Sequence, residues 1–206
     1  MALDIPLRCA CGAIRGQVDG VTPSNARRLS CMCRDCQAFA HYLGCADSLL
    51  DAYGGTDISY ATPRQVKLHT GIEQLRCVRL SAEGLLRWYA GCCRTPIANT
   101  LPARRIAFVA LPHLALDCAA LGQPRDSVLG PLTRRFEAGS ARSTPPAGAH
   151  QGTPFAAKAS FLAVLLRDSL IGRAQPTPFL DERTRQPVVE PMVLDAATRA
   201  ALGATH

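Results

Sequence analysis

Short apolar runs separated by turn residues dominate the first two thirds of the chain, a pattern typical of antiparallel β structure. Glycines in the intervening turns, such as Gly12, Gly71 and Gly84, provide the backbone freedom that tight connections need. The pattern predicts strands at residues 5–9, 13–18, 49–53, 57–60, 65–69, 75–80, 85–90 and 106–111. We therefore expect the first part of the chain to be mainly β.

Three helices are predicted outside these strands. One at Arg34–Leu43 ends at Gly44, a longer one covers 155–171, and Asp195 can cap a last one at 196–202. Residues 137–153 are rich in small residues and proline, which indicates a linker or loop. These patterns divide the chain into a β domain (1–136), a linker (137–154) and a helical C-terminal extension (155–206).

The long predicted helix is too short and too charged to span a membrane. Its apolar stripe is interrupted, because Lys158 and Ser169 fall on one side of the helical wheel while Ser160 and Arg167 fall almost opposite. We expect the helix to pack against the β domain or against a second copy of the chain, which would make a homo-oligomer. The alternative is that it lies on a membrane surface.

Cysteine usage divides the chain in the same way. All ten cysteines lie between Cys9 and Cys118, and the last 88 of the 206 residues contain none. The sequence opens without the long apolar run of a secretory leader, so we expect a cytoplasmic location and a reducing environment. There, clustered thiols indicate metal ligands rather than disulfides.

The formal charge of +7 does not predict a nucleic-acid partner. Of the 23 basic residues 21 are arginines, but they are scattered, and aromatic residues make up only 5% of the chain. A dedicated nucleic-acid surface usually combines clustered basic residues with stacking aromatics. We therefore expect no nucleic-acid partner.

A turn with three closely spaced cysteines is the strongest chemical signal. Cys31, Cys33 and Cys36 have C-x-C-x-x-C spacing, and thiolates this close repel each other unless a cation holds them. Zinc suits three such ligands, and a site with three protein ligands leaves the fourth position open to water or substrate. The alternatives are a disulfide pair with a leftover thiol, or chance clustering.

A second set of cysteines comes from distant parts of the chain. Cys9 and Cys11 offer two thiolates from one turn, and Cys92 and Cys93 offer one or two from another. A four-sulfur site built in this way would clamp a small β domain, because the free energy of metal binding adds to that of folding. Of the adjacent pair we favour Cys93, since neighbouring cysteines rarely point at one centre. The alternative for Cys9 and Cys11 is two buried thiols.

These motifs resemble the group of the glutathione-dependent formaldehyde-activating enzyme and centromere protein V. The resemblance covers about residues 7–111 and rests on the order and spacing of three motifs: Cys9-x-Cys11-Gly12, Cys31-x-Cys33-x-x-Cys36-Gln37, and Cys93-x-Thr95-Pro96 after Trp88-Tyr89. Three further segments resemble a bacterial branch of that group without assigned activity: D-A-Y-G-G-T-D-I, R-W-Y-A-G-C-C-R-T-P-I-A-N-T and V-V-E-P-M-V-L.

The resemblance implies an Mss4-like, zinc-binding β-sheet fold with two zinc ions. One ion would be structural, and the other, on the three-cysteine turn, would be open to the thiolate of glutathione. It also implies a carbon–sulfur lyase that acts on a glutathione or other thiol adduct. This chain departs from the pattern at the late C-x-x-C-G motif, where Ala90 replaces the first cysteine and Arg94 the glycine. Either Cys92 is the fourth structural ligand, or another group completes the site.

Zinc with three thiolates and a bound thiolate carries a charge of −2, which calls for positive neighbours. Arg27, Arg28 and Arg34 flank the turn and are our candidates for substrate binding, although each could equally be a surface charge. No general acid or base stands out: Asp35 and His41 lie close by, but both could be structural. If His41 closed the fourth position, the site would be purely structural.

Two other functions stay open at this point. The chain could be a non-catalytic zinc-stabilised module that binds a partner through its C-terminal helix, since resemblance of fold does not carry function. It could also be a redox or metal sensor, because clustered thiolates can oxidise and release zinc. The remaining cysteines, Cys45, Cys77 and Cys118, we interpret as small buried apolar residues.

Overall fold

The computed structural model describes residues 1–103, 105–184 and 186–203. Its strands are β1 (Leu3–Arg8), β2 (Arg15–Val21), β3 (Leu29–Cys31), β4 (Thr56–Ala61), β5 (Val66–Thr70), β6 (Leu75–Arg79), β7 (Leu86–Ala90), β8 (Pro96–Thr100), β9 (Val109–Pro112), β10 (Arg135–Phe136) and β11 (Met192–Val193). Its α-helices are α1 (Arg34–Leu43), α2 (Ala46–Leu49), α3 (Arg125–Leu129), α4 (Phe155–Leu170) and α5 (Ala196–Ala201). The described chain is therefore mainly β, as predicted.

The strands form two sheets. The larger sheet is mixed and has eight strands in the order β10-β3-β4-β9-β8-β7-β6-β11, and the smaller has the order β1-β2-β5. The two outer strands of the large sheet, β10 and β11, pair in parallel with β3 and β6, while its inner pairs are antiparallel. In the small sheet, Gly16 lies so close to β5 that an added Cβ would sit 2.0 Å from the carbonyl oxygen of Lys67. Only glycine fits there.

The main core lies between the two sheets and is closed by the C-terminal segment. Trp88 of β7 is fully buried, and its indole N–H donates to Thr100 Oγ1 at 2.9 Å. Phe179 is also fully buried, and its ring centroid is 5.2 Å from that of Trp88. The C-terminal extension therefore contributes a side chain to the centre of the β core.

The start and end of helix α1 are determined by residues within or next to its own sequence. Cys33 caps its N-terminus by accepting from the backbone N–H of Cys36, and Gly44 ends it in the left-handed conformation with φ of 66°. The buried face includes Phe39 and Leu43, which pack in a second apolar cluster with β6 residues. The prediction of a helix at Arg34–Leu43 that ends at Gly44 is confirmed.

The prediction of a strand at residues 49–53 is wrong. Leu49 is the last residue of α2, and the chain then turns so that Asp51 Oδ1 accepts from the backbone N–H groups of Tyr53 and Gly55. An aspartate that bonds backbone amides two and four residues later favours a turn over a strand. The strand predicted at 106–111 begins only at Val109, and the one predicted at 13–18 begins at Arg15.

Four strands of the large sheet were not predicted: the two-residue strands β10 and β11, and two longer ones, β8 and β3. The whole of β8 is buried, including Asn99 and Thr100, so it lacks the alternation of apolar and polar residues that marks a half-exposed strand. The other, β3, has only three residues. Both lie next to the site described below.

The segment predicted as a linker is irregular, but its backbone is bonded to the β domain and to α1. Gln37 of α1 donates to the carbonyl of Ser140 at 2.8 Å, and the N–H of Arg142 donates to the carbonyl of Tyr53 at 3.0 Å. Further along, the N–H of His150 donates to the carbonyl of Arg135 at 3.0 Å. The segment therefore lies along the domain.

Helix α4 packs one face on the large sheet. The ring of Phe161 makes edge contacts with Tyr60 and Phe108, with centroids 5.4 and 6.0 Å apart. Asp168 is buried within 3.0 Å of the Tyr60 hydroxyl, and Ser169 Oγ accepts from the N–H of Ala107. Among the described residues, no helix is both long and apolar enough to cross a membrane.

Candidate metal centres

Four cysteines form the first centre, which we call the clamp cluster: Cys9, Cys11, Cys92 and Cys93. Their Sγ atoms all lie within 4.8 Å of one another, and four of the separations are 3.5, 3.9, 3.3 and 3.9 Å. A tetrahedral ion with metal–sulfur bonds of about 2.3 Å needs sulfur atoms about 3.8 Å apart. The cluster therefore has the geometry to hold one metal ion with four thiolates.

The turns on both sides aim these sulfurs at one point. The Sγ of Cys9 accepts from the N–H of Ile14 at 3.3 Å, and Thr95 Oγ1 joins the two turns by accepting from the N–H of Ala10 at 2.9 Å. Burial raises the pKa of Cys93, but hydrogen bonds from Thr95 and from the Cys11 backbone lower it overall to about 6. The thiolate that a metal requires is thus favoured there.

The structure brings the sulfurs of both Cys92 and Cys93 to the clamp cluster, so its geometry does not favour Cys93 over Cys92. Arg94 adopts the left-handed conformation with φ of 57°, which turns the chain sharply after the pair. Its guanidinium bonds the carbonyls of Tyr42 and Leu43 at the end of α1. Cys92 thus supplies the fourth sulfur of the cluster, in place of the cysteine that Ala90 replaces in the family motif. The hydrogen bonds of Arg94 connect the clamp cluster to α1.

Cys31, Cys33 and Cys36 form the second centre, which we call the three-cysteine turn. Cys31 ends β3, Cys33 caps α1, and Cys36 lies in its first turn, so three short elements aim their sulfurs together. The three Sγ atoms lie within 4.8 Å of one another. All ten cysteines of the chain are free, so the alternative of a disulfide pair does not describe this structure.

No fourth protein ligand joins this turn among the described histidine, cysteine and acidic side chains. His41 is exposed on the other side of α1, where its Nε2 contacts the guanidinium of Arg142. It does not close the fourth position.

A buried arginine supplies the positive charge at the three-cysteine turn. Hydrogen bonds from Cys31 and Cys33 lower the pKa of the Cys36 thiol well below its usual value, and the charge of Arg87 lowers it further. Arg87 is only 4% exposed, and its guanidinium lies over the ring of Phe39 at 5.3 Å. Arg87 was not among the predicted site residues because it lies in an apolar strand, although an arginine in such a strand is itself a signal.

The three predicted arginines have different positions. Arg28 is buried and bonds both oxygens of Asp57, with Nη2 to Oδ2 at 2.8 Å, and it also bonds Asp126 at 2.6 Å. Arg34 is exposed on α1. Neither contributes to the cavity described next, whereas Arg27 does. Arg28 thus connects β3 to β4 and α3 rather than facing a ligand.

The three-cysteine turn opens into a cavity of about 690 Å³ between the large sheet and α4. Its wall includes all three cysteines, Asp35, Arg87 and Asn99, together with aromatic side chains from β9, β10 and α4 and their flanks. Such a volume is typical of a small-molecule site. The fourth position at the turn therefore faces a space large enough for a ligand.

Asn99 gives this cavity an unsatisfied polar group. It is 4% exposed, lies opposite Arg87 in the pairing of β7 and β8, and its Oδ1 is buried without a hydrogen-bond partner in the described structure. Buried polar atoms without partners are rare and call for a specific explanation. A ligand that donates a hydrogen bond would satisfy Asn99.

Comparison with protein families gives one match. The model of a family of unknown function, DUF6151, matches residues 1–191. The chain belongs to the DUF6151 family. A comparison with curated proteins gives no match. The match spans the β domain, the segment after it and most of the helical extension, so the metal centres and α4 belong to one family unit.

The other cysteines keep the positions expected of apolar residues. Cys77 and Cys118 are buried in the main core, and burial raises the pKa of Cys77 to about 12. Cys45 is half-buried against the second apolar cluster. None of the three belongs to a metal centre.

Proposed function

We propose that both centres bind zinc and that the fold is of the Mss4-like type. Four and three thiolate ligands suit zinc better than the hard cations, which prefer oxygen. At the clamp cluster the ion completes its shell with protein sulfur and stabilises the fold. At the three-cysteine turn it has three protein ligands, as in catalytic zinc sites.

We further propose that this DUF6151 protein forms or breaks the carbon–sulfur bond of a thiol adduct, such as a hemithioacetal of glutathione or of another thiol. In the forward direction the thiol sulfur bonds to the carbonyl carbon of an aldehyde, the C=O π bond breaks, and the thiol proton goes to the oxygen; the reverse step returns thiol and aldehyde. One observation carries the proposal: the three-cysteine turn, without a fourth protein ligand, faces a cavity of about 690 Å³. Zinc at the turn would supply an open position that binds sulfur as thiolate.

The chain's own residues support such a ligand in three ways. Arg87 places a positive charge beside the sulfurs and offsets the negative charge of the thiolates. Asn99 Oδ1 is available to accept from the hydroxyl of a hemithioacetal. The apolar wall limits water around the reacting group, which strengthens both interactions.

Cobalt substitution tests the proposal. Protein loaded with two equivalents of Co²⁺ is titrated with glutathione and with smaller thiols, and the sulfur-to-cobalt charge-transfer band is followed. We expect the band to grow by the contribution of one additional thiolate, in the parent but not in a Cys33→Ser variant. A spectrum unchanged by every thiol would overturn the proposal.

Redox sensing is a second candidate, favoured by three free thiols within 4.8 Å of one another. In that case mild peroxide would release zinc from the three-cysteine turn and form a disulfide, and a dithiol reductant would restore binding. Zinc release is followed with a colorimetric chelator. Retention of both ions under peroxide would exclude the sensor.

A further inference from the structure

The cavity at the three-cysteine turn has a predominantly apolar wall. Six of the side chains that form it come from both the sheet and α4: Leu29, Ile58, Phe108, Ala110, Phe136 and Phe161. An apolar wall of this kind gains free energy by covering hydrocarbon, at about 25 cal/mol per Å². It disfavours charged groups that it cannot pair.

Positive charge is concentrated at the same cavity. Its wall includes four basic side chains and two acidic ones, Asp35 and Glu83. Arg87 is 3.8 Å from Asp35, but Arg27, Arg134 and Lys158 form no ion pair with any described carboxylate. These three cations come from separate parts of the chain and lie on the wall of one cavity, Arg27 half-buried and the other two exposed.

Arg27 shows backbone strain that fits a role at this cavity. Its φ is 44°, a conformation that residues other than glycine seldom adopt, and its side chain is half-buried. Such strain persists where the surrounding structure fixes it, and it concentrates at ligand sites. The backbone N–H of Tyr60 fixes the turn by donating to the carbonyl of Ala26.

Glutathione matches this wall poorly. It carries two carboxylates and an ammonium group on a polar peptide backbone, whereas the cavity offers a hydrocarbon surface and more basic than acidic side chains. An ammonium group would lie among cations, and the peptide groups would lose water against apolar side chains. A thiol with a hydrocarbon body and a single negative charge matches both features.

We propose that the cavity binds thiols, or their adducts, that combine an apolar body with one carboxylate, in preference to glutathione. This inference rests on the proposed function for the sulfur, but the preference for an apolar carboxylate is a property of the cavity alone. Arg27, Arg134 and Lys158 recognise the carboxylate, the aromatic wall covers the body, and Asn99 accepts from an adduct hydroxyl.

Matched ligands test the contributions of the apolar body and of the carboxylate separately. Calorimetric titrations of the zinc-loaded protein compare 6-mercaptohexanoate, 6-mercaptohexanol, mercaptoacetate and glutathione, and a sulfur-free pair compares 4-phenylbutanoate with 4-phenylbutanol. We expect 6-mercaptohexanoate to bind at least 10-fold more tightly than each of the other three thiols. We also expect 4-phenylbutanoate to bind at least 5-fold more tightly than its alcohol.

Substitutions test which side chains cause the preference for a carboxylate over an alcohol. In the double variant Arg27→Gln/Arg134→Gln, the ratio of acid to alcohol affinity should fall toward one, while affinity for the alcohol is retained. Arg183→Gln is the control, since Arg183 is exposed and lies outside the cavity. Phe161→Ala should weaken acid and alcohol alike. Circular dichroism confirms that each variant is folded.

The outcomes distinguish the inference from the proposed function. A cobalt spectrum that responds to thiols, combined with glutathione binding as tightly as 6-mercaptohexanoate, keeps the function and overturns the inference. Preferential binding of 4-phenylbutanoate, combined with a cobalt spectrum that no thiol changes, supports the cavity preference and overturns the function. Equal affinity for acid and alcohol in the parent protein also overturns the inference.

Discussion

Arg87 occupies an unusual position, buried in the large sheet beside the sulfurs of the three-cysteine turn. Its guanidinium has Asp35 at 3.8 Å and the ring of Phe39 beneath it. A buried cation needs compensating charge, and a thiolate cluster that held a metal with net negative charge would provide it. On the proposed function, the side chain would therefore stabilise the metal-loaded turn more than the metal-free one.

We predict that Arg87→Met lowers the zinc affinity of the three-cysteine turn by about 10- to 100-fold, the usual effect of losing a group that supports a metal's ligands. Competition with a chromophoric chelator measures both zinc ions, and the affinity of the clamp cluster should not change. Arg87→Lys keeps the charge and should recover most of the loss. Unchanged affinity in Arg87→Met would show that the guanidinium only fills space.

Arg28, in contrast, supports the fold. Burial raises the pKa of Asp57, but hydrogen bonds from Arg28 lower it overall. Because the folded pKa lies below the unfolded value of about 3.9, this carboxylate stabilises the protein above that pH. The stabilisation is lost as the pH falls through the folded pKa.

We predict that Arg28→Met lowers the free energy of unfolding at pH 7 by about 3 kcal/mol, because it removes the main partner of a half-buried carboxylate and leaves Arg125, at 3.2 Å, as its remaining ion pair. Urea titrations between pH 3 and 7 should show the difference from the parent shrinking below about pH 4. Arg64→Met, at an exposed position, should show no such loss. Affinity for cavity ligands that falls while stability is unchanged would instead support the prediction that Arg28 binds substrate.

At the scale of elements, α4 has two distinct faces. One face packs on the sheet and forms part of the cavity wall through Ala157, Ser160 and Phe161. The side chain of Asp168 anchors its last turn, accepting from Tyr60 and pairing with Arg167 and Arg173. This anchor lies outside the cavity wall, at the C-terminal end of the helix that forms part of that wall.

We predict that Asp168→Ala loosens α4 without unfolding the sheet. Loss of this buried partner should lower the local opening free energy by about 2 kcal/mol, which corresponds to roughly 30-fold faster amide exchange. Hydrogen exchange read by mass spectrometry on Phe155–Leu170 and on Pro96–Thr100 measures both effects. Ser160→Ala, which removes a hydroxyl without a bond in the described structure, is the control on the same helix. Equal acceleration in both segments would mean global destabilisation.

Elements whose defining residues are neighbours in the sequence could be predicted, whereas those formed by distant residues could not. Helix α1 has a cap, an apolar face and a terminal glycine within its own sequence, so its bounds were predicted correctly. The three-cysteine turn could likewise be predicted, because its three cysteines lie within six residues. The cavity could not be predicted from the sequence, since Arg87 and Asn99 meet only through the pairing of β7 with β8. Tertiary pairing between distant strands has no local signal.

At the scale of the whole molecule, the outer face of α4 exposes apolar side chains to solvent. Phe155, Leu162, Leu166 and Leu170 are each at least 55% exposed and follow one side of the helix at spacings of seven, four and four residues. Such an apolar stripe is self-complementary when two copies of the helix pack side by side. The predicted homo-oligomer would use this surface.

We predict a dimer that dissociates in Leu162→Glu/Leu166→Glu, since buried carboxylates at the centre of the stripe would be unpaired. Light scattering coupled to gel filtration gives the mass of each species at several concentrations. Ile72→Glu, at a position 46% exposed and away from α4, should leave the dimer intact. A parent protein that stays monomeric throughout would rule out this use of the helix.

The two metal centres should contribute unequally to stability, because they close loops of different length. The clamp cluster joins residues 83 positions apart, whereas the three-cysteine turn joins residues within five positions of one another. The cost of loop closure grows as (3/2)RT ln n, so losing the clamp removes about 2.5 kcal/mol more than losing the turn. For a chain of this size the difference corresponds to about 5 °C in Tm.

We therefore predict a larger fall in Tm for Cys11→Ser/Cys92→Ser than for Cys31→Ser/Cys33→Ser, although zinc content should fall from two equivalents to one in both. Scanning calorimetry and metal analysis of the same samples measure the two quantities, with Cys45→Ser as a control outside both centres. Equal shifts in Tm would mean that the clamp does not act by closing a long loop. A larger shift for the turn would mean that the ion there holds α1 and β3 in the fold, and hence that the open centre is also a structural one.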